Sequence, residues 1–308
     1  EHLRIVEMSL LFQYNRVKFA YKRKEMNRDD RNKKSHKKIR QFYCCGFSGS
    51  SHRNRRIFGL LGPNGAGKTT TISLLSTLLL PTEGEILIDG QTLGRNRPDL
   101  KRKISVITQE YSMRQDMNMD EIMEYQGRLY FMPRKEIKRK TEELLDFCGL
   151  LPFRKRTVRK LSGGMKRKLM VCRALLTSPE ILLLDEPTAG MDALSRRQMW
   201  NLLRQLNGKN LTILLTTHYM EEAQSLCNRV ALMDHGKLEE INTPSGLIDG
   251  LGKYTVDQET PEGAKSHYFH SREEAISFLS SLDGQCTLRE TTLEDVFVER
   301  AGRHLMQR

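Results

Sequence analysis

Directly after the apolar run Ile57-Phe58-Gly59-Leu60-Leu61, the chain reads Gly62-Pro63-Asn64-Gly65-Ala66-Gly67-Lys68-Thr69. A G-x-x-x-x-G-K-T string that leaves a buried strand and enters a helix is a phosphate-binding loop. Its glycines let the backbone curl, so that successive N–H groups point inward at a β-phosphate. The positive end of the following helix dipole adds to that field. Residues 69–80 read as this helix. Lys68 is placed to reach β- and γ-phosphates, Thr69 to offer a hydroxyl to Mg²⁺, and Thr70 joins the nucleotide-contacting set. An ordinary Gly-rich turn would leave the Lys68-Thr69 pair unexplained.

The second half of such a site is Ile181-Leu182-Leu183-Leu184-Asp185-Glu186-Pro187, with Asp185 117 residues beyond Lys68. Four apolar residues without alternation suit a strand buried on both faces of a parallel sheet. Ligands bind at the carboxyl ends of such strands, where Asp185 and Glu186 fall. Asp185 is the expected Mg²⁺ ligand, through water. Glu186 is placed to act as general base on the water attacking a γ-phosphate. The bland reading, an acidic strand end stopped by proline, weakens once the phosphate loop is set beside it.

A third motif, Leu161-Ser162-Gly163-Gly164-Met165-Lys166-Arg167, places Ser162 19 residues before Ile181. Ser162 would cap a helix over 166–176, and two glycines would let a phosphate approach its N-terminus. One chain already has a phosphate cradle, so a second anion-binding helix start makes sense if it closes over a nucleotide held by another copy. A plain helix cap after a Gly-Gly turn is the alternative.

Together these segments resemble the nucleotide-binding subunit of ABC transporters. Residues 62–69 match the Walker A motif, 161–164 the LSGG signature, and 181–186 the Walker B motif with its catalytic glutamate. Gly190-Met191-Asp192 is similar to the D-loop, which in this family addresses the opposite subunit. Leu214-Leu215-Thr216-Thr217-His218 resembles the strand before the H-loop, which implies that His218 contacts the γ-phosphate. Val106-Ile107-Thr108-Gln109 resembles the strand into the Q-loop, which implies Gln109 near Mg²⁺ and the attacking water. The likeness spans residues 57–245. It implies an α/β fold, a P-loop NTPase of ABC type with a mainly parallel central sheet and a helical subdomain. It implies ATP and Mg²⁺ as cofactors, and two subunits pairing head to tail around two ATP molecules. The chain carries one set of motifs, so its partner is a second nucleotide-binding subunit, most simply a copy of itself. The other implied partner is an ABC-2-type transmembrane permease, with the ATPase peripheral on the cytoplasmic face of the membrane.

At 308 residues the chain holds a sizeable core. No run approaches the ~18 apolar residues of a membrane helix, and mean hydropathy is -0.55. No secretory signal is visible. The sequence opens on Glu1 rather than Met, which suggests a trimmed or incomplete chain. Six cysteines, at 44, 45, 148, 172, 227 and 286, form no C-x-x-C pair or metal spacing, consistent with reduced cytosolic thiols.

The net charge of +13 is concentrated at the start: residues 1–56 carry 16 Lys/Arg against 5 Asp/Glu, the remainder 35 against 33. This atypical basic region reads as a solvated or disordered insertion. An anionic lipid surface or nucleic acid are further uses, and nucleic acid is not expected because stacking aromatics are few. The family resemblance implies a small antiparallel sheet here and an aromatic stacked on adenine. Arg16-Val17-Lys18-Phe19-Ala20-Tyr21 alternates like a strand, making Tyr21 the candidate for adenine, with Tyr43 and then Phe42 behind it. The alternating strand expected just before Ile57 is missing, either through an insertion or because this portion folds differently.

Residues 57–240 form the expected ATPase domain, with a helical subdomain over about 110–165. Within it, residues 119–130 and 136–147 show helical apolar spacing. The resemblance implies that this subdomain receives a coupling helix from the membrane subunit. Tyr111, Met113 and Met117 follow Gln109, and the methionines read as core, exposed loop or part of that docking surface. Residues 241–308 read as a small C-terminal α/β extension: a helix over 246–251, a strand over 253–256 and an amphipathic helix over 271–282. Ser271 and Glu274 form a capping-box pattern, repeated by Thr291 and Glu294. The ending Thr292-Leu293-Glu294-Asp295-Val296-Phe297, followed by Ala301-Gly302-Arg303, resembles that of ABC-2-type drug-exporter ATPases, and the helix itself reads as packing on the body with a dimer contact. The expected function is therefore an ATP-hydrolysing motor of an ABC-2-type export system. A soluble ABC-type ATPase acting on nucleic acid or ribosomes is the alternative; it usually needs two nucleotide domains or a coiled-coil insert, and the basic start alone speaks for it.

Overall fold

The structure, a computed structural model, describes residues 17–20, 56–82, 84–110, 113–209, 211–260, 263–282 and 284–306. Tyr21, Phe42, Tyr43 and the segment before Arg56 lie outside these residues, so the adenine-stacking candidates do too. The chain divides into two compact units: residues 1–218 with Ala231–Ile241, and Tyr219–Val230 with Asn242–Arg308.

The first unit begins with β1 (Val17–Ala20) and β2 (Ile57–Leu61), followed by α1 (Lys68–Leu75), β3 (Glu85–Ile88), β4 (Gln91–Thr92) and α2 (Pro98–Arg102). Next come β5 (Ile104–Ile107), α3 (Met119–Leu129), α4 (Arg134–Phe147), α5 (Gly163–Leu175), β6 (Ile181–Asp185), α6 (Ala193–Asn207) and β7 (Thr212–Thr217). After α7 (Met220–Leu226), which belongs to the second unit, β8 (Arg229–Asp234) and β9 (Lys237–Asn242) complete a six-stranded sheet in the order β5-β6-β7-β2-β8-β9.

Every residue of β2 and of β6 is buried. These are the unbroken apolar runs, and a strand covered by helices on both faces needs no polar side. Each Leu or Ile so enclosed contributes about 1.5–3 kcal/mol from water exclusion. The pairs β5–β6, β6–β7 and β7–β2 are parallel, with Ile107 opposite Leu184, Asp185 opposite Thr216, and Leu61 opposite Thr217. The carboxyl ends of four strands therefore stand at one level. A separate antiparallel sheet, β1-β3-β4, pairs Val17 with Ile88 and Ala20 with Glu85.

The helix after the phosphate loop stops at Leu75 rather than running to residue 80. Ser76 caps it, and Thr77 turns to a left-handed φ of 61°. Pro81 disfavours helical geometry at Leu80, and Leu78, Leu79 and Leu80 are exposed, so no buried face holds another turn. Met113 is buried, which places it in the core rather than on a docking surface.

The second unit contains α7, α8 (Pro244–Leu251), β10 (Tyr254–Thr260), β11 (Gly263–Phe269), α9 (Arg272–Ser280), β12 (Cys286–Glu290) and α10 (Leu293–Met306). Its sheet runs β11-β10-β12, all antiparallel. The Ser271 hydroxyl accepts the Glu274 N–H at 3.2 Å, capping α9. The second expected cap is shifted by one residue. Thr292, not Thr291, donates its N–H and hydroxyl to Asp295, at 2.7 and 2.9 Å, while the Thr291 hydroxyl pairs with that of Thr255 in the core at 2.8 Å. Arg289 fastens the same corner, bonding both Asp295 and Asp257. Burial pushes the Asp295 carboxyl up, but the Arg289 and Thr292 bonds outweigh it and hold it below the usual range.

In the helical subdomain α3 packs on α4 through Gly127. A Cβ there would come within 2.5 Å of Ile137 Cγ1 and 2.6 Å of its Cδ1. Replacing a helical Gly by Ala gains about 1 kcal/mol of propensity, whereas overpacking costs about 1–3 kcal/mol. Gly127→Ala is therefore expected to lower stability by up to about 2 kcal/mol, read from the denaturant midpoint, with Ile137→Val recovering part of the loss. A gain in stability would show that α3 and α4 are not packed this closely.

Candidate functional site

The loop leaving β2 passes under the end of β8. A Cβ on Gly62 would lie 2.2 Å from the Met233 carbonyl oxygen, so only glycine fits. Gly65 and Gly67 take left-handed φ values of 82° and 106°, which L side chains rarely adopt. Ala66 anchors the loop in the core beside Phe58, Leu60 and Met233, and its carbonyl accepts the Gly236 N–H at 2.8 Å. Pro63, Asn64 and Gly65 face solvent. Lys68 is 6% exposed, and its ammonium sits inside the curl, donating to the carbonyls of Gly62 at 2.9 Å and Pro63 at 3.1 Å. Thr69 Oγ1 donates to Asp185 Oδ1 at 3.3 Å.

Asp185 closes β6 and is buried. The Thr216 hydroxyl donates to its Oδ1 at 2.6 Å. The same hydroxyl oxygen accepts the Glu186 N–H at 3.1 Å, and the Thr216 carbonyl accepts it at 3.2 Å. Glu186 has a φ of 47°, a strained conformation for a residue with a side chain. Its carboxylate, 12% exposed, lies 3.7 Å from Lys68 Nζ and 3.1 Å from His218 Nδ1. Residues at 68, 69, 185, 186 and 218 thus meet at the level where β2, β6 and β7 end. Gln109, just past β5, is exposed.

The signature residues stand at the start of α5. Ser162 is its N-cap, and its hydroxyl accepts the Met165 N–H at 3.2 Å. Leu161 is buried, whereas Ser162 and Gly163 are exposed. A Cβ on Gly164 would approach Ser195 Oγ at 3.2 Å, so this helix start lies against α6. Asp192 caps α6, accepting the Ser195 N–H at 2.8 Å and its hydroxyl at 2.7 Å. Those bonds hold the Asp192 carboxyl below the usual range. Leu194, beside it, is 68% exposed.

Two residues in this arrangement escaped sequence reasoning. Thr216 looks like one more β-branched strand residue, and only the register opposite Asp185 gives it a task. Arg167 looks like a surface cation one turn into a helix. It is 2% exposed, and its guanidinium reaches the carbonyls of Thr108, Gln109, Glu186 and Pro187.

A glycine-shaped phosphate loop, a buried lysine within it, and an acidic pair at the end of β6, two strands away in the sheet, define an ATP-binding P-loop enzyme. The ABC transporter family model matches residues 50–189. The Nod factor export ATP-binding protein I of Cupriavidus pinatubonensis is 36% identical over 275 residues, 82% of this chain and 84% of the relative. The linearmycin resistance ATP-binding protein of Bacillus subtilis is 38% identical over 206 residues, 67% of this chain and 66% of the relative. The daunorubicin/doxorubicin resistance ATP-binding protein of Streptomyces peucetius is 36% identical over 225 residues, 73% of this chain and 66% of the relative. A solved ATP-binding subunit of an ABC transporter superposes with a TM-score of 0.56 at 26% identity, covering 63% of this chain and 80% of that one. The chain belongs to the ABC transporter family, as an ATP-hydrolysing subunit of the ABC-2 exporter type.

Thr216→Val keeps the side-chain shape and removes the hydroxyl shared by Asp185 and Glu186. A buried carboxylate losing a 2.6 Å bond is expected to cost about 1–3 kcal/mol. Equilibrium urea unfolding reads this; an unchanged midpoint would show that the hydroxyl does not hold the acidic pair.

Proposed function

We propose that this chain is the motor of an ABC-2-type exporter, pairing head to tail with a second copy around two ATP molecules and driving a separate membrane permease from the cytoplasmic face. The observation that carries this reading is the split of the motifs. Lys68, Asp185, Glu186 and His218 converge at one strand edge, with Glu186 within 3.7 Å of Lys68 and 3.1 Å of His218. The capped start of α5, with Ser162 and Gly163 exposed, is a second anion-binding surface. A helix start of that kind is completed by the phosphates of an ATP on a partner. Exposed Leu194 beside Asp192 fits the same interface.

In each composite site the backbone N–H groups of residues 64–69 and the Lys68 ammonium bind the β- and γ-phosphates, with Thr70 at the helix start. The donor set suits Mg²⁺, since the Thr69 hydroxyl and the Asp185 carboxylate lie 3.3 Å apart; Gln109 is the further proposed ligand. Bound there, the ion supplies charge neutralisation to the phosphates. Glu186 accepts a proton from the attacking water as the water oxygen bonds to the γ-phosphorus and the bond from that phosphorus to the β–γ bridging oxygen breaks, leaving ADP and phosphate. His218, against the Glu186 carboxylate, orients that base and the γ-phosphate. Lys68 stabilises the charge that grows on the phosphate oxygens.

No helix among the described residues is long and apolar enough to cross a membrane, and in this reading a separate permease supplies the transport path. The α3 face supports a docking site for it. Tyr125 and Leu129, four residues apart on one helix face, are 54% and 55% exposed, and Phe131 beyond them is 88% exposed. The relatives' names, drug resistance and Nod factor export, support outward transport.

Glu186→Gln is expected to bind ATP and to slow hydrolysis by roughly 10²–10⁴-fold, and, tagged and purified from solubilised membranes with ATP, to bring a multi-helix membrane protein at stoichiometric yield. Near-normal turnover would remove its role as base, and recovery of the chain with RNA or alone would remove the exporter assignment. Ser162→Arg should leave ATP binding by the single chain intact and abolish ATP-driven dimerisation, measured by size exclusion with light scattering; persisting dimers would contradict the head-to-tail pairing.

A further inference from the structure

We infer that Arg167 is a positioning residue that makes Glu186 and Gln109 answer to the seating of the signature helix they share a chain with. The inference rests on the composite-site reading above and adds a residue to which that reading gives no part.

Arg167 lies in α5 five residues after Ser162 and is 2% exposed. Its Nε donates to the Pro187 carbonyl at 2.8 Å and its Nη2 to the Glu186 carbonyl at 2.6 Å. Its Nη1 donates to the carbonyls of Thr108 at 2.7 Å and Gln109 at 3.3 Å. One planar fork therefore holds the chain just past β6 and the chain just past β5. Lysine, a point charge on a flexible stem, cannot reproduce that spread of donors.

The carbonyl it takes from Glu186 matters because of the backbone there. A φ of 47° on a non-glycine residue is strained and persists only where its surroundings over-determine it. At Glu186 the N–H is held by Thr216 and the carbonyl by Arg167. Releasing one side lets the peptide relax, and the carboxylate turns away from Lys68 and His218.

The other end of this lever is the helix itself. Ser162 and Arg167 are rigidly joined by the first turns of α5, so a displacement of the signature when it meets phosphates on the partner carries the guanidinium with it. The Glu186 and Gln109 carbonyls follow. Hydrolysis at a chain's own phosphate loop is thereby tied to whether its signature is engaged across the dimer.

The test is steady-state ATPase kinetics of the full chain carrying Arg167→Lys, beside wild type and Glu186→Gln. A misplacement of the base by about 1 Å is expected to lower kcat roughly 10- to 100-fold while KM for ATP stays within about twofold, and Glu186→Gln/Arg167→Lys should still form the ATP-bound dimer. A role confined to holding the fold would instead weaken ATP binding and dimerisation along with turnover, and that result overturns the inference, as does wild-type kcat. Arg167→Gln, which carries no charge to strand in the interior, gives the same kcat-against-KM split if the lysine variant does not fold. Normal turnover in Glu186→Gln would bring down the site reading and this inference together; an inactive Glu186→Gln beside a fully active Arg167→Lys brings down the inference alone.

Discussion

Four strands ending at one level are the constraint from which the rest of the site follows. Parallel pairing fixes Leu61 opposite Thr217 and Thr216 opposite Asp185. Because side chains alternate with a period of two, a one-residue slip in β7 would turn the Thr216 hydroxyl away from Asp185. Register is secured by burial: β2 and β6 are enclosed along their whole length, and any slip would bring polar residues into that core. The chemistry thus inherits its precision from apolar packing several residues upstream.

At this edge the backbone is held by close packing in the phosphate loop and by polar bonds at Glu186. The phosphate loop depends on two left-handed glycines and on the close approach of Gly62 and Gly67 to Met233. Glu186 does without glycine, and its conformation is maintained by Thr216 on one side and Arg167 on the other. A glycine there would relieve the strain and remove the carboxylate. Strain at a functional position is therefore the consequence of needing a side chain where the turn favours none.

The C-terminal unit obeys a different logic. Its three-stranded antiparallel sheet is narrower, and much of it is half-buried or exposed. Polar fastening compensates: Arg289 ties β12 to β10 through Asp257 and to α10 through Asp295. Residues Tyr219–Val230, which the motif order places within the ATPase stretch, group with this unit because α7 packs on α8 and α10. Chain order and compactness part company there, as they do wherever an excursion from a sheet finds its core elsewhere.

The sequence by itself determined the phosphate loop, the buried strands that feed the site, the acidic pair, the signature helix cap and the family. Each is local: a glycine pattern, an apolar run or a cap acts within a few residues, so its physics is written in consecutive letters. The extent of α1 was not legible, because Leu78–Leu80 look like a continuing apolar face until their exposure is known. Nor was the Thr292–Asp295 cap, since Thr291 offers the same pattern one residue earlier and only its burial against Thr255 removes it. Tertiary structure alone decided what Thr216 and Arg167 do. Their partners lie 31 residues away at Asp185 and up to 59 residues away at Thr108, and a hydrogen bond across such separations depends on strand register and helix placement that no run of neighbouring residues encodes.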